Sequence, residues 1–253
     1  MSDVLRLPKL SRDEFAARFL RSGPPVIVTD DLASWAGTTH WTFDELRGRW
    51  GERAVSAFVT PDGEWDHACE RQTVTFAQLI DATLTTGPGG PRISGPQLDL
   101  TRNVPWAAES VTLPAFVPAE RVVASNLWLQ AAGDKTHLHW DEDPGVLGLL
   151  QGEKEIVLYA PSEWRSLYPN AGGSSTNWSR VDVWHCDDAV FPRFRDARAI
   201  RLTLHAGEML FVPQTWWHCV HTTKPSIALN CWWAEPAAEV GDVYQRFVAF
   251  GSL

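Results

Sequence analysis

The chain has little cysteine, lysine, tyrosine or methionine. Its 253 residues include four Cys, three Tyr and two Met. Cys69, Cys186, Cys219 and Cys231 show no C-x2-C pairing and no regular spacing. That excludes a disulfide framework or zinc knuckle and predicts isolated thiols in a reducing compartment. Positive charge is also short, with 22 Lys+Arg against 31 Asp+Glu and a formal net charge of −9. A protein that coats nucleic acid would show the opposite balance. No apolar run approaches the roughly 18–20 residues needed to span a bilayer. The opening Met-Ser-Asp-Val-Leu-Arg-Leu-Pro-Lys has no basic stretch followed by an apolar one, so no secretion signal and a cytoplasmic location are expected. Hydrophobic content of 44% and charged content of 21% are ordinary for a folded domain, which argues against disorder. What is abundant is tryptophan, with 14 residues.

The first 121 residues carry helix-start signals. Ser11-Arg-Asp-Glu14 precedes Phe15, Phe19 and Leu20; Thr42-Phe-Asp-Glu45 precedes Leu46 and Trp50; Thr75-Phe-Ala-Gln78 precedes Leu79, Ile80 and Leu84. In each, a hydroxyl and an acid or amide three residues on can satisfy orphan N–H groups, and apolar spacing of three and four follows. Val26–Thr29 and Val55–Val59 read as short strands between them.

From Val122 the texture changes to short strands separated by turns: Val122–Leu129, His137–Asp141, Val146–Leu150, Glu155–Tyr159, Ile200–Leu204, Met209–Val212, Cys219–Thr222 and Ile227–Trp233. Such a series predicts a sandwich or barrel. A long insert, Ser162–Arg198, reads as a functional loop. Pro236–Phe250 has helical apolar spacing at Val240, Val243, Tyr244, Phe247 and Val248. With no repeat and no Ser/Gly linker, one composite domain over 1–253 is expected: a helical and strand buttress (1–121), a β core (122–234) and a terminal helix (235–253).

Chemistry concentrates in Thr136-His-Leu-His139-Trp-Asp141-Glu-Asp143. On a strand, residues two apart face one side, roughly 6.6 Å apart along the axis. His137, His139 and Asp141 can therefore share a face. A third ligand must come from elsewhere, and His185, His205, His218 and His221 are the candidates. His218 is the best placed, after Gly207-Glu208, Pro213 and Trp216-Trp217. Two His and one carboxylate with open positions form the facial arrangement of non-haem Fe(II) oxygenases.

That conjunction resembles the JmjC and cupin-like Fe(II)/2-oxoglutarate hydroxylases, and in particular the small hydroxylases related to the asparaginyl hydroxylase of hypoxia-inducible factor. The resemblance runs over most of the chain. It includes Gly23-Pro-Pro-Val-Ile-Val28, Trp41-to-Leu46, Asn126-Leu-Trp128, Thr136-x-x-His139-x-Asp141, Gly152-x-Lys154, Leu167-Tyr-Pro169, Phe191-Pro192, Gly207-to-His218 and Leu229-Asn230-x-Trp232. It implies a mainly β double-stranded β-helix, a jelly roll with flanking helices. It implies His139, Asp141 and His218 as iron ligands. It further implies Lys154 and Thr136 on the distal carboxylate of 2-oxoglutarate, with Asn230 near the metal end. Trp232 is the candidate cosubstrate wall. Asn126, Trp128, Trp178 and Trp184 are the candidate substrate contacts, the last two on the insert beside the mouth. The implied reaction couples O2 and decarboxylation of 2-oxoglutarate to hydroxylation of a C–H bond, favouring an amino-acid side chain of a protein or peptide.

Two departures keep alternatives open. His137 stands where relatives often carry Pro, so a site of His137, His139, His218 and an acid (Glu142 or Asp143) is a second reading, without 2-oxoglutarate. Relatives often carry a Tyr near Arg92-Ile-Ser-Gly95 that supports the distal carboxylate, and none stands there. A small metabolite, a tRNA base (disfavoured by charge), demethylation in place of hydroxylation, and a catalytically silent binding module are the remaining alternatives. The tail is also a candidate homodimer contact.

Overall fold

The computed structural model describes residues 4–20, 23–32, 35, 41–65, 69–87, 92–170 and 176–235. The expected terminal helix lies outside them. The three N-terminal helices begin where their caps predict. Ser11 Oγ accepts from the Glu14 N–H before α1 (Arg12–Phe15), and Thr42 Oγ1 from the Glu45 N–H before α2 (Phe43–Trp50). Thr75 and Gln78 complete a reciprocal box before α3 (Phe76–Thr85). α1 does not run on as an α-helix through Leu20 but widens into a π-helical turn over Ala16–Leu20, with Phe15 and Phe19 both still buried. A single turn, α4 (Pro105–Ala108), follows. No helix of the described residues is long and apolar enough to cross a membrane.

The strands are β1 (Leu5–Leu7), β2 (Val26–Val28), β3 (Ala54–Thr60), β4 (Glu64–Trp65), β5 (Glu70–Thr75), β6 (Arg92–Asp99), β7 (Val122–Gln130), β8 (Lys135–His139), β9 (Gly145–Tyr159), β10 (Ile200–His205), β11 (Met209–Val212) and β12 (Trp217–Trp233). Two pairs of expected strands are fused. Val146–Leu150 and Glu155–Tyr159 belong to the single strand β9, which bends at Gly152. There φ is +95°, and an added Cβ would meet the Pro225 carbonyl oxygen. Cys219–Thr222 and Ile227–Trp233 are both parts of β12. Pro225, which has no N–H to donate, falls where the β12–β9 register shifts.

The strand order is β1-β2-β11-β9-β12-β7-β6-β3-β5, with β10 on β9 and β8 joining β12 to β4. This jelly-roll sheet draws on both the N-terminal and C-terminal parts of the chain. β5 and β6 were not expected as strands. β5 reads polar, and β6 contains Gly95 and Pro96. Its neighbours β3 and β7 hold β6 in place, with a register shift between Gly95 and Leu98 absorbing the proline.

Three apolar layers result. Ile27, Leu149, Ile156, Leu158, Leu210 and Ala228 fill the barrel interior. Phe15, Leu46, Leu79 and Trp233 belong to the layer under the N-terminal helices. Leu138, Trp140, Val157, Tyr159 and Trp217 form a third, outer layer, covered by Leu167 and Val183 of the insert. Strand alternation sorts side chains between layers. On β9, Lys154, Ile156 and Leu158 turn inward while Val157 and Tyr159 turn out. On β12, Trp232 reaches the interior and Trp233 packs under the helices.

Candidate active site

One end of the barrel interior opens into a pocket lined by apolar Leu147, Ile156, Leu210 and Val212 and by a small polar set: Thr136, His139, Asp141, Lys154, His218 and Asn230. β8 delivers the first members through a bulge. His218 lies opposite His139 and Val220 opposite Thr136, so two steps on β12 match three on β8. The extra residue puts Thr136 and His139 on the same interior face, although they are three apart. It also overturns the expected alternation of His137 with His139. His137 contacts Glu64 Oε1 through Nδ1 at 2.7 Å and the Ser179 carbonyl through Nε2 at 3.0 Å. Burial opposes its charge, but the Glu64 bond and carboxylate prevail and raise its pKa. With both ring nitrogens engaged, His137 is not placed for the three-histidine site.

His139, Asp141 and His218 converge, each with a ligand atom within 4.8 Å of the others. His139 Nε2 is 3.6 Å from Asp141 Oδ1, and His218 Nε2 is 3.6 Å from Asp141 Oδ2. Each imidazole spends its Nδ1 on a backbone carbonyl two residues back, His139 on His137 at 2.8 Å and His218 on Trp216 at 3.0 Å. Those bonds assign the Nδ1–H tautomer and leave both Nε2 lone pairs facing the carboxylate. Burial, then the charge of His218, pushes His139 down to about 4, so its ring is neutral and ligand-ready near pH 7. The Trp232 indole N–H donates to Asp141 Oδ2 at 2.9 Å and orients it. Trp178 stacks on His139 with ring centroids 5.0 Å apart.

At the closed end sits Lys154, 1% exposed. Its ammonium donates to Gln130 Oε1 at 2.7 Å and Thr222 Oγ1 at 2.9 Å, both neutral acceptors. Burial pushes its pKa down to about 7, and Asp134 partly offsets this. Among the described residues no carboxylate lies within ion-pair distance of it. An ammonium in an apolar pocket with only neutral oxygens is poised for an anion.

The structure brings together Thr136, His139, Asp141, Lys154, His218, Asn230 and Trp232. Asn126 and Trp128 are buried and donate to Asn230 Oδ1, at 3.2 and 2.6 Å, and so fix the amide that lines the pocket. Trp178 is on the site, but Trp184 is not. It belongs to the outer layer, with its ring 5.3 Å from that of His221. The insert thus mainly covers the sheet's outer face. His185 and His205 pair with Asp182 and Glu153 away from the cluster. Gln130 and Thr222, which hold the Lys154 amine, belong to no motif of the sequence. Period-two alternation along β12, from His218 through Val220, points to Thr222; nothing local marks Gln130.

Fold and site define a cupin-like barrel with a two-histidine, one-carboxylate centre. The chain belongs to the family of cupin-like domains, whose model matches residues 11–239. It is similar to the lysine-specific demethylase JMJ30 of Arabidopsis thaliana, at 28% identity over 90% of this chain and 54% of that protein. It is also similar to the human bifunctional peptidase and (3S)-lysyl hydroxylase JMJD7, at 28% over 90% of this chain and 84% of that protein. Against the chicken (Gallus gallus) tRNA wybutosine-synthesizing protein 5 the identity is 26%, over 89% and 76%. The chain spans 53–60% of the length of JMJ30 and three further curated relatives.

Proposed function

We propose that the chain is an Fe(II)- and 2-oxoglutarate-dependent oxygenase that hydroxylates an unactivated C–H bond, with an amino-acid side chain of a protein or peptide as substrate. The observation that supports this best is one pocket holding both the converging His139–Asp141–His218 donor set and a buried Lys154 that meets only neutral oxygens.

The donor set fits iron. Two neutral imidazole nitrogens and one carboxylate suit a divalent first-row ion and leave positions for a cosubstrate and O2. When bound, iron supplies O2 activation coupled to decarboxylation of 2-oxoglutarate into succinate and CO2. The chain's own residues do the rest. His139 and His218 offer Nε2, and Asp141 is held for its role by Trp232. Lys154 and Thr136 would take the distal carboxylate, which fixes the orientation of the keto acid. Leu147, Ile156, Leu210 and Val212 exclude water from around it.

A polypeptide substrate is favoured by the relatives that are named for lysyl hydroxylation and lysine demethylation. The net charge of −9 disfavours RNA and suits a basic partner. The free thiols Cys69, Cys186, Cys219 and Cys231 suit a reducing compartment such as the cytoplasm.

The test is succinate production with Fe(II), 2-oxoglutarate and candidate host peptides, joined to a mass-spectrometric search for a +16 Da product. Asp141→Ala should abolish succinate formation and metal retention. Full activity in that variant overturns the proposal.

A further inference from the structure

Lys154 does not stand alone at the closed end of the pocket. Behind it lies a second buried charge cluster. The Arg92 guanidinium and Asp134 carboxylate, 0% and 1% exposed, pair at 3.0 Å. Ser94 Oγ donates to Asp134 Oδ2 at 2.8 Å, and the Ala131 N–H to the same oxygen at 3.0 Å. Arg92 also donates to the Ala132 carbonyl at 3.1 Å.

This cluster is tied to both oxygens that hold Lys154. Thr222, one acceptor, donates its N–H to the Asp134 carbonyl at 2.8 Å and accepts at its own carbonyl from the Gly133 N–H at 2.7 Å. Gln130, the other acceptor, directly precedes Ala131, whose N–H is bound by the Asp134 carboxylate. A closed ring of contacts therefore runs from Asp134 to Thr222, to Lys154, to Gln130 and back through Ala131.

We propose that Asp134, held by Arg92 and Ser94, is a positioning residue for Lys154: it fixes the two oxygens that aim the amine and places a negative charge behind it. The role of Lys154 rests on the oxygenase reading above; the coupling to Asp134 does not. Ser94 stands in the Arg92–Gly95 stretch where the resemblance expects a tyrosine. Here that stretch serves the anion end from behind, through Asp134.

The charges are ordered in a way that makes this work. Asp134 is the charged group acting on Lys154. The neighbouring Glu153 and Glu155 engage Lys224 and His221, outside the pocket. Burial pushes the Asp134 carboxyl up, while the Ser94 and Ala131 bonds and the Arg92 charge pull it back. Removing the carboxylate takes from a buried ammonium the anion that favours its charged form.

The experiment follows Lys154 directly. The chain's lysines are Lys9, Lys135, Lys154 and Lys224, few enough to assign by NMR of lysines labelled at Cε. In Asp134→Asn, the Lys154 titration midpoint should fall by about one pH unit or more. 2-Oxoglutarate affinity at pH 7.5, read by calorimetry with Mn(II) in the site, should drop at least tenfold and recover in part at pH 6. If Asp134→Asn fails to fold because Arg92 is left unpaired, the double variant Arg92→Met/Asp134→Leu removes both charges and should lower the midpoint by a smaller amount, since the Arg92 cation goes too. A Lys154 midpoint unchanged in a folded variant overturns the inference. A midpoint that falls while the wild type binds no 2-oxoglutarate upholds the coupling and overturns the oxygenase reading instead.

Discussion

Lys154→Met should make the ligand-free protein more stable and blind to 2-oxoglutarate. A lysine whose pKa falls from 10.5 to about 7 on folding is held in the native state at a cost whenever it is charged. The unfolded chain binds more protons between pH 7 and 10.5, so stability rises with pH across that window and is lowest below it. The difference of 3.5 pH units (10.5 − 7) corresponds to about 5 kcal/mol when Lys154 is fully protonated, and about 4 kcal/mol at pH 7. Methionine fills similar space without that charge. Against this, Gln130 Oε1 and Thr222 Oγ1 lose their donor, which costs about 2 kcal/mol for the two. The net gain is about 2 kcal/mol, or roughly 4–8 °C in Tm for a domain of this size. Saturating 2-oxoglutarate at a hundred times its Kd should stabilise the Mn(II)-loaded wild type by about 2.7 kcal/mol. It should leave the Lys154→Met protein unmoved. Thermal unfolding with and without 2-oxoglutarate, from pH 6.5 to 9, reads all of this. A variant less stable than wild type at pH 7, or one still stabilised by 2-oxoglutarate, refutes the reasoning.

Trp232→Phe removes the indole N–H that orients Asp141 while keeping an apolar ring, and should weaken Mn(II) binding about 10- to 100-fold by titration; unchanged affinity would show that Asp141 needs no such support. For His139 the folded pKa is depressed from 6.5 to about 4, so the unfolded state takes up the extra proton and stability is lost as pH falls through that window. Metal-free protein should therefore lose on the order of 3 kcal/mol between pH 6.5 and 4, from 2.5 pH units (6.5 − 4). Urea unfolding of His139→Gln should show a shallower acid limb, and an identical limb would assign the loss to other groups.

Much of this site is legible in the chain itself, because its determinants are local. The three hydroxyl caps place the N-terminal helices, and alternation along the last strand places Trp232 inside and Trp233 outside. His139, Asp141 and His218 stand out by residue type and frame, and Lys154 through the family resemblance. What escapes is set by tertiary pairing. The bulge in β8 decides that Thr136 rather than His137 faces the pocket, and it depends on β12, some eighty residues away. β6 forms despite Gly95 and Pro96 because β3 and β7 flank it. Trp184 looks like a rim residue by its position in the insert, yet packs on the outer face because the insert folds over that sheet. Gln130 and Asp134 acquire meaning only once Lys154 has been brought back across the barrel.

The long strand β12 has a consequence for how the protein reaches its working state. It contributes His218, Thr222, Asn230 and Trp232, and their contacts reach far along the chain. Thr222 and Lys154 are 68 residues apart, Trp232 and Asp141 91, and Asn230 and Asn126 104. Such pairings are closed late and slowly, since loop entropy must be overcome before any contact rewards it. A growing chain on the ribosome therefore has no centre to load until its last strand has emerged and docked. If the centre holds a metal as proposed, its uptake would mark completed folding, and a chain cut short before β12 would offer the ion only the isolated pair His139 and Asp141.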